Sequence, residues 1–130
     1  MITFLRDALD ALRHGTTDAV LLQVLINLFD NAIYWLDDHQ NSRKIEIRLD
    51  GDSQELTFAD NGVGVKEEDI PYIFEPFYSG KGEDGRGLGL YIARQLLEKD
   101  DFSIRLVETK SEKRLSGANF VVRFYPEEEE

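Results

Sequence analysis

From Val20 to Leu36 the chain runs Val-Leu-Leu-Gln-Val-Leu-Ile-Asn-Leu-Phe-Asp-Asn-Ala-Ile-Tyr-Trp-Leu. Apolar residues fall on nearly every face of a 3.6-residue repeat. The segment therefore predicts a long helix, about residues 18–37, sandwiched inside the molecule and not lying on its surface. Thr16, Thr17 and Asp18 supply N-cap residue types at its start. Asn27 and Asn31 stand one turn apart in this stretch, so their amides share a face. Burying an amide without a partner costs about 1–3 kcal/mol. Packing alone gives a core helix no reason to bear that cost twice on one stripe, so something polar is expected to meet the pair.

The chain as a whole, 130 residues, reads as one α+β domain. Leu5, Leu9 and Leu12 recur at helical spacing over residues 2–13, and Gly15 suits a helix stop. Residues 1–16 are therefore expected to be a connector or an N-terminal helix. Ile45, Ile47 and Leu49 alternate with Glu46 and Arg48, the period of a half-buried strand. Asp50-Gly51 turns that strand back into Leu56-Thr57-Phe58. A short helix is expected around Glu67–Ile70, and Gly85-Arg86-Gly87-Leu88-Gly89-Leu90 is expected to open another helix through about Lys99. Phe102–Val107 and Ala118–Phe124 read as two closing strands. One layer of helices on one sheet, a two-layer α/β sandwich, accommodates this order.

Composition excludes several function classes. A net charge of −11 argues against nucleic acid or an anionic membrane surface as partner. Part of that charge is the acidic tail, residues 127–130. The chain has no cysteine, hence no disulfide framework and no thiolate metal site. No apolar run reaches the roughly 18 residues of a membrane span, and the N-terminus lacks a signal-peptide pattern. The expected location is cytoplasmic, without direct membrane contact, although a parent protein can still be membrane-anchored.

Two glycine-rich runs carry candidate chemistry. Gly85-Arg86-Gly87-Leu88-Gly89 leads into a helix. Glycines let the backbone approach an anion, and the unpaired N–H groups of a helix start point at it. Glycine-rich turns before helices are also common, and the run matches neither the P-loop nor the dinucleotide fingerprint. Asp60-Asn61-Gly62-Val63-Gly64 places a carboxylate at a strand end before a tight turn. Asp60 there is either a turn cap or a buried acceptor for an exocyclic amine, with glycines making room for a flat base.

Order and combination narrow these alternatives. Gln23–Ala32 resembles the N box of the GHKL superfamily, and Asp60–Gly64 its first glycine box. Ile73-Phe74-Glu75-Pro76-Phe77-Tyr78-Ser79 resembles its F box, and Gly85–Ala93 its second glycine box. The nearest likeness is to the catalytic, ATP-binding domain of sensor histidine kinases, over about residues 17–125. The resemblance implies a Bergerat-type ATP-binding fold spanning 17–126, with a mixed, mostly antiparallel sheet covered on one face by about three helices. It implies ATP and Mg²⁺ as cofactors. Asn31 would ligate Mg²⁺, and Asn27 would face the same metal and the triphosphate. Asp60 would accept from the adenine amino group, with Gly62 and Gly64 clearing space for the ring. Residues 66–84 would form a lid, its base anchored by Phe74 and Phe77. Gly85, Gly87, Leu88 and Gly89 would cradle phosphates.

The chain departs from this family pattern at Tyr34, where many such kinases carry a lysine. Lys81 and Arg86 are the nearest cations that could replace its phosphate contact. The lid is short, and nothing ahead of residue 17 resembles a complete dimerisation and phosphoacceptor module. Hydrolysing members of the superfamily carry a glutamate at the position of Asn27, and an amide cannot take a proton from water. Transfer to another protein is therefore favoured over hydrolysis. His14 and His39 lack the acidic neighbour of a phosphoacceptor box, so the acceptor histidine is expected on a separate domain, with a response regulator downstream. The alternatives are a non-catalytic ATP-sensing module, an anti-sigma-type serine kinase and a slow ATPase.

Overall fold

The computed structural model describes residues 18–35, 42–77 and 88–124. The expected helix over 2–13, both histidines, the later part of the lid and the acidic tail lie outside the described residues. Helix α1 spans Asp18–Trp35. Strands β1 (Ile45–Asp50) and β2 (Glu55–Asp60) form the expected hairpin. Its turn is closed by Asp50, whose Oδ1 accepts from the N–H groups of Asp52 (3.0 Å) and Ser53 (3.2 Å). Gln54, at φ +54°, completes the reversal. A 3-10 helix, Glu67–Tyr72, stands where the short helix was expected. Helix α2 (Gly89–Glu98), β3 (Ser103–Leu106), a 3-10 turn at Lys110–Glu112 and β4 (Asn119–Arg123) follow.

The four strands form one sheet in the order β1-β2-β4-β3, and every described pairing is antiparallel. The two-layer α+β architecture is the expected one, although no described pair is parallel. Register explains which face is buried. Ile47 pairs with Phe58, Phe58 with Phe120, and Phe120 with Leu106. Leu49–Leu56–Val122–Ile104 forms a second row beside it. Strand alternation puts both rows on one face, against Leu21, Val24, Leu28 and Ala32 of α1 and Ala93 and Leu97 of α2. Each fully buried large side chain in these rows contributes about 1.5–3 kcal/mol. The opposite face carries Glu46, Arg48, Thr57 and Arg105, with Glu46 paired to Arg114 at 3.2 Å.

Helix α1 departs from the expected sandwich. Leu22, Ile26 and Ile33 are 60%, 49% and 65% exposed, and Phe29, 37% exposed, meets Phe58 edge-on (ring centroids 5.0 Å apart). The physical reason is the layer count: a single sheet covers one side of the helix, and no second layer of described residues covers the other. Among the described residues no helix is long and apolar enough to cross a membrane.

Candidate functional site

Asp60 is the last residue of β2 and points to the helix-covered face, 2% exposed. Pairing with β4 ends one residue earlier, at Ala59–Asn119. Beyond that point the chain before β4 wraps the carboxylate. Asp60 N–H donates to Ala118 O (2.9 Å), and Gly117 N–H donates to Asp60 O (2.9 Å). The side-chain Oδ1 accepts from Gly62 N–H (2.9 Å) and Ala118 N–H (3.2 Å). Burial pushes the carboxyl above its ordinary value, while these two bonds and the charge of Lys113 pull against the shift. Among the described residues both donors to the side chain fall on Oδ1, which leaves Oδ2 as the oxygen for a ligand.

The glycines around Asp60 have separate reasons. Gly64 takes φ +77°, which favours glycine, and lies beside the Gly117 backbone. A Cβ on Gly117 would stand 2.3 Å from Asp60 Oδ1, 2.6 Å from Gly62 N and 2.7 Å from Asp60 O. No L side chain fits there without displacing the carboxylate. Asn61 ties the same turn to the chain entering β1, accepting from Lys44 N–H (2.8 Å) and donating to Ser42 O (2.9 Å).

Asn27 faces the start of α2: a Cβ on Gly89 would lie 3.9 Å from Asn27 Cβ. Its Oδ1 accepts from Gln23 Nε2 at 3.1 Å, whereas its Nδ2 is buried with no hydrogen-bond partner among the described residues. The opening turn of α2, after Leu88, has neither a capping side chain nor an acidic residue. Its free N–H groups and the Asn27 donor favour an anion. Asn31 is half-buried one turn further along α1. Among the described residues, no group of three or more His, Asp or Glu could hold a metal. A cation held here would therefore need asparagine oxygen together with oxygens of its own ligand, a set that suits Mg²⁺.

The remaining expected residues divide. Phe74 packs edge-on against Phe120 (6.2 Å) beneath the Arg94 guanidinium (5.5 Å), which makes it a core anchor. Phe77, expected to anchor the lid base beside it, is instead 80% exposed at φ +65°. It is the last described residue before the rest of the lid. The Tyr34 side chain, Lys81, Gly85, Arg86 and Gly87 lie outside the described residues. Gly117 and Asn119 carried no expectation. The only local signal is Ser116-Gly117 ahead of a strand, which reads as an ordinary turn; their importance comes from Asp60, fifty-eight residues before Ala118.

Residues 16–129 match the family model described as histidine kinase-, DNA gyrase B-, and HSP90-like ATPase. Sensor protein ChvG of Rhizobium meliloti is 38% identical over 108 residues, 77% of this chain and 18% of that protein. The autoinducer 2 sensor kinase/phosphatase LuxQ of Vibrio cholerae is 38% identical over 85 residues, 58% of this chain and 10% of that protein. The chain thus spans a fifth or less of these relatives. Among solved structures, the nucleotide-free catalytic domain of histidine kinase ThkA superposes with a TM-score of 0.62 at 28% identity. That match covers 82% of this chain and 67% of the other. The mycobacterial sensor histidine kinase MprB shares the fold, with a TM-score of 0.63 at 23% identity over 82% of this chain and 72% of that one.

Proposed function

Because the chain belongs to the family of histidine kinase-, DNA gyrase B- and HSP90-like ATPases, we propose that it binds Mg·ATP between α1, the turn after β2 and the start of α2, and donates the γ-phosphoryl group to a histidine on a separate phosphoacceptor domain. A response regulator would take the phosphoryl group next. The observation that carries the nucleotide reading is Asp60, a buried carboxylate with one oxygen fixed by backbone donors and the other available. Oδ2 accepts from the exocyclic amine of the base, and Gly62 and Gly64 leave room for the ring.

Across the site the residues divide the work by the atoms they present. Asn27 offers its unpartnered Nδ2 to a phosphate oxygen. Its Oδ1 is engaged with Gln23, so Asn31 is the amide left to give oxygen to Mg²⁺. The bound cation neutralises charge on the phosphates, as it does in phosphoryl transfer generally. The N–H groups opening α2 hold a further phosphate oxygen, with Lys81 and Arg86 as the candidate cations. The amide at Asn27 has no basic atom to activate water, which favours transfer over hydrolysis.

Incubation with γ-labelled ATP and a panel of histidine and serine acceptor domains tests the proposal. The expected result is label on a histidine acceptor, no label on this chain, and very slow hydrolysis without an acceptor. Robust turnover by the chain alone, abolished in Asn31→Ala, would establish an ATPase instead. Label on serine would make the chain a serine kinase, and binding without any transfer a nucleotide sensor.

Proton linkage supplies a second expectation. As pH falls through the raised pKa of Asp60, Oδ2 gains a proton and becomes a donor. ATP affinity is then expected to fall about tenfold per pH unit, with proton release on binding in that window. Asp60 has the opposite effect on the free protein. Its folded pKa lies above the ordinary 3.8, so the native state holds a proton that the unfolded chain releases. The Asp60 contribution to stability therefore rises as pH falls through that interval. Calorimetric titration in buffers of different ionisation enthalpy measures the released proton, and Asp60→Asn should abolish the release.

A further inference from the structure

Asn119 is 0% exposed and belongs to β4, and it lies in none of the four motifs quoted above. All four of its hydrogen-bonding positions are used on the loop that precedes it. Oδ1 accepts from the N–H groups of Arg114 (2.8 Å) and Leu115 (3.3 Å), and Nδ2 donates to Leu115 O (2.8 Å) and Gly117 O (3.1 Å). The loop so clamped delivers Gly117 N–H to Asp60 O and Ala118 N–H to Asp60 Oδ1. An amide saturated in this way fixes backbone direction more firmly than an apolar side chain of the same size.

We propose that Asn119 is a positioning residue for base recognition: by clamping residues 114–117 it sets the Ala118 N–H on Oδ1 of Asp60 and so aims Oδ2 at the exocyclic amine of an adenine-type base. Geometry alone assigns the role. Two side chains from neighbouring strands, Asp60 and Asn119, are joined through a single peptide segment whose two N–H groups both end on Asp60. Gly117 is the point of closest approach, where a side chain would strike the carboxylate. The inference rests on the reading of Asp60 as the base acceptor, and the test separates the two.

The experiment compares ATP with the triphosphate of purine riboside, which has hydrogen in place of the 6-amino group. For the wild-type chain, the amine–carboxylate bond is expected to favour ATP by about 10–100-fold. In Asn119→Ala that preference should shrink to about a tenth of its wild-type value: ATP binding weakens by roughly tenfold while purine riboside triphosphate binding stays close to that of the wild type. Equal weakening of both nucleotides, with the preference intact, would show a merely structural residue and overturn the inference. A wild-type chain with no preference would instead overturn the assignment of Asp60. If Asn119→Ala does not give a cooperative unfolding transition, Asn119→Ser carries the test. Its neutral hydroxyl is shorter than the amide and can replace only part of the four bonds to Arg114, Leu115 and Gly117. Its preference is expected to be intermediate, and an undiminished preference counts against the proposal.

Discussion

Gly117→Ala is expected to lose about 2–4 kcal/mol of stability and to weaken ATP binding by more than about thirtyfold. The added methyl group would meet Asp60 Oδ1 at 2.3 Å, Gly62 N at 2.6 Å and Asp60 O at 2.7 Å. Two of those atoms are backbone, so no rotamer change relieves the overlap. Either the 114–118 loop or the turn after β2 must move. Overpacking a close contact costs about 1–3 kcal/mol, and each lost hydrogen bond to the buried carboxylate adds about 1 kcal/mol or more. Urea denaturation reads the first effect and nucleotide titration the second. Ser116→Ala is the control, since Ser116 is exposed and its replacement should stay within about 0.5 kcal/mol. A Gly117→Ala chain as stable as wild type would mean that the loop shifts freely, and the close fit around Asp60 would lose its significance.

Asp60→Asn should separate binding from folding. The amide keeps an oxygen for the N–H groups of Gly62 and Ala118, so the turn retains its bonds. In place of Oδ2 it presents an NH₂ group, and two donors then face each other when an adenine binds. Losing the charge-assisted bond and leaving a buried donor unmet costs about 3 kcal/mol, roughly a hundredfold in affinity. The free protein should be as stable as wild type at neutral pH, or slightly more so. Burial raises the pKa of Asp60, which means that its ionised form is the disfavoured one, and the neutral amide escapes that cost. Thermal unfolding beside ATP titration checks both halves. An intact fold with undiminished affinity would remove Asp60 from base recognition.

Much of this was legible locally. The hairpin follows from alternation in Ile45–Leu49 and the turn chemistry of Asp50, and the structure adds only that Asp50 closes the turn through its own Oδ1. Asp60 was legible as a candidate because a carboxylate ends a strand before two glycines. The polarity of the Asn27 face was legible too, and the buried Nδ2 is the unmet group that the spacing implied. The sandwiched environment expected for α1 was not borne out. Composition counts apolar residues round a helix but does not count the layers available to cover them, and Leu22, Ile26 and Ile33 remain on the outside.

Periodicity, turn residues and motif order were enough to determine the two-layer architecture, the family, and the strand end at which Asp60 sits. They act over a few residues, and the information for them lies within those residues. The support of Asp60 is different in kind. Gly117, Ala118 and Asn119 reach it only because β4 pairs with β2 and stops at Ala59–Asn119, leaving the preceding loop to close over the carboxylate. That is a contact between segments some sixty residues apart, and no local pattern in either segment encodes it. Tertiary structure alone decided which oxygen of Asp60 is held and which is offered.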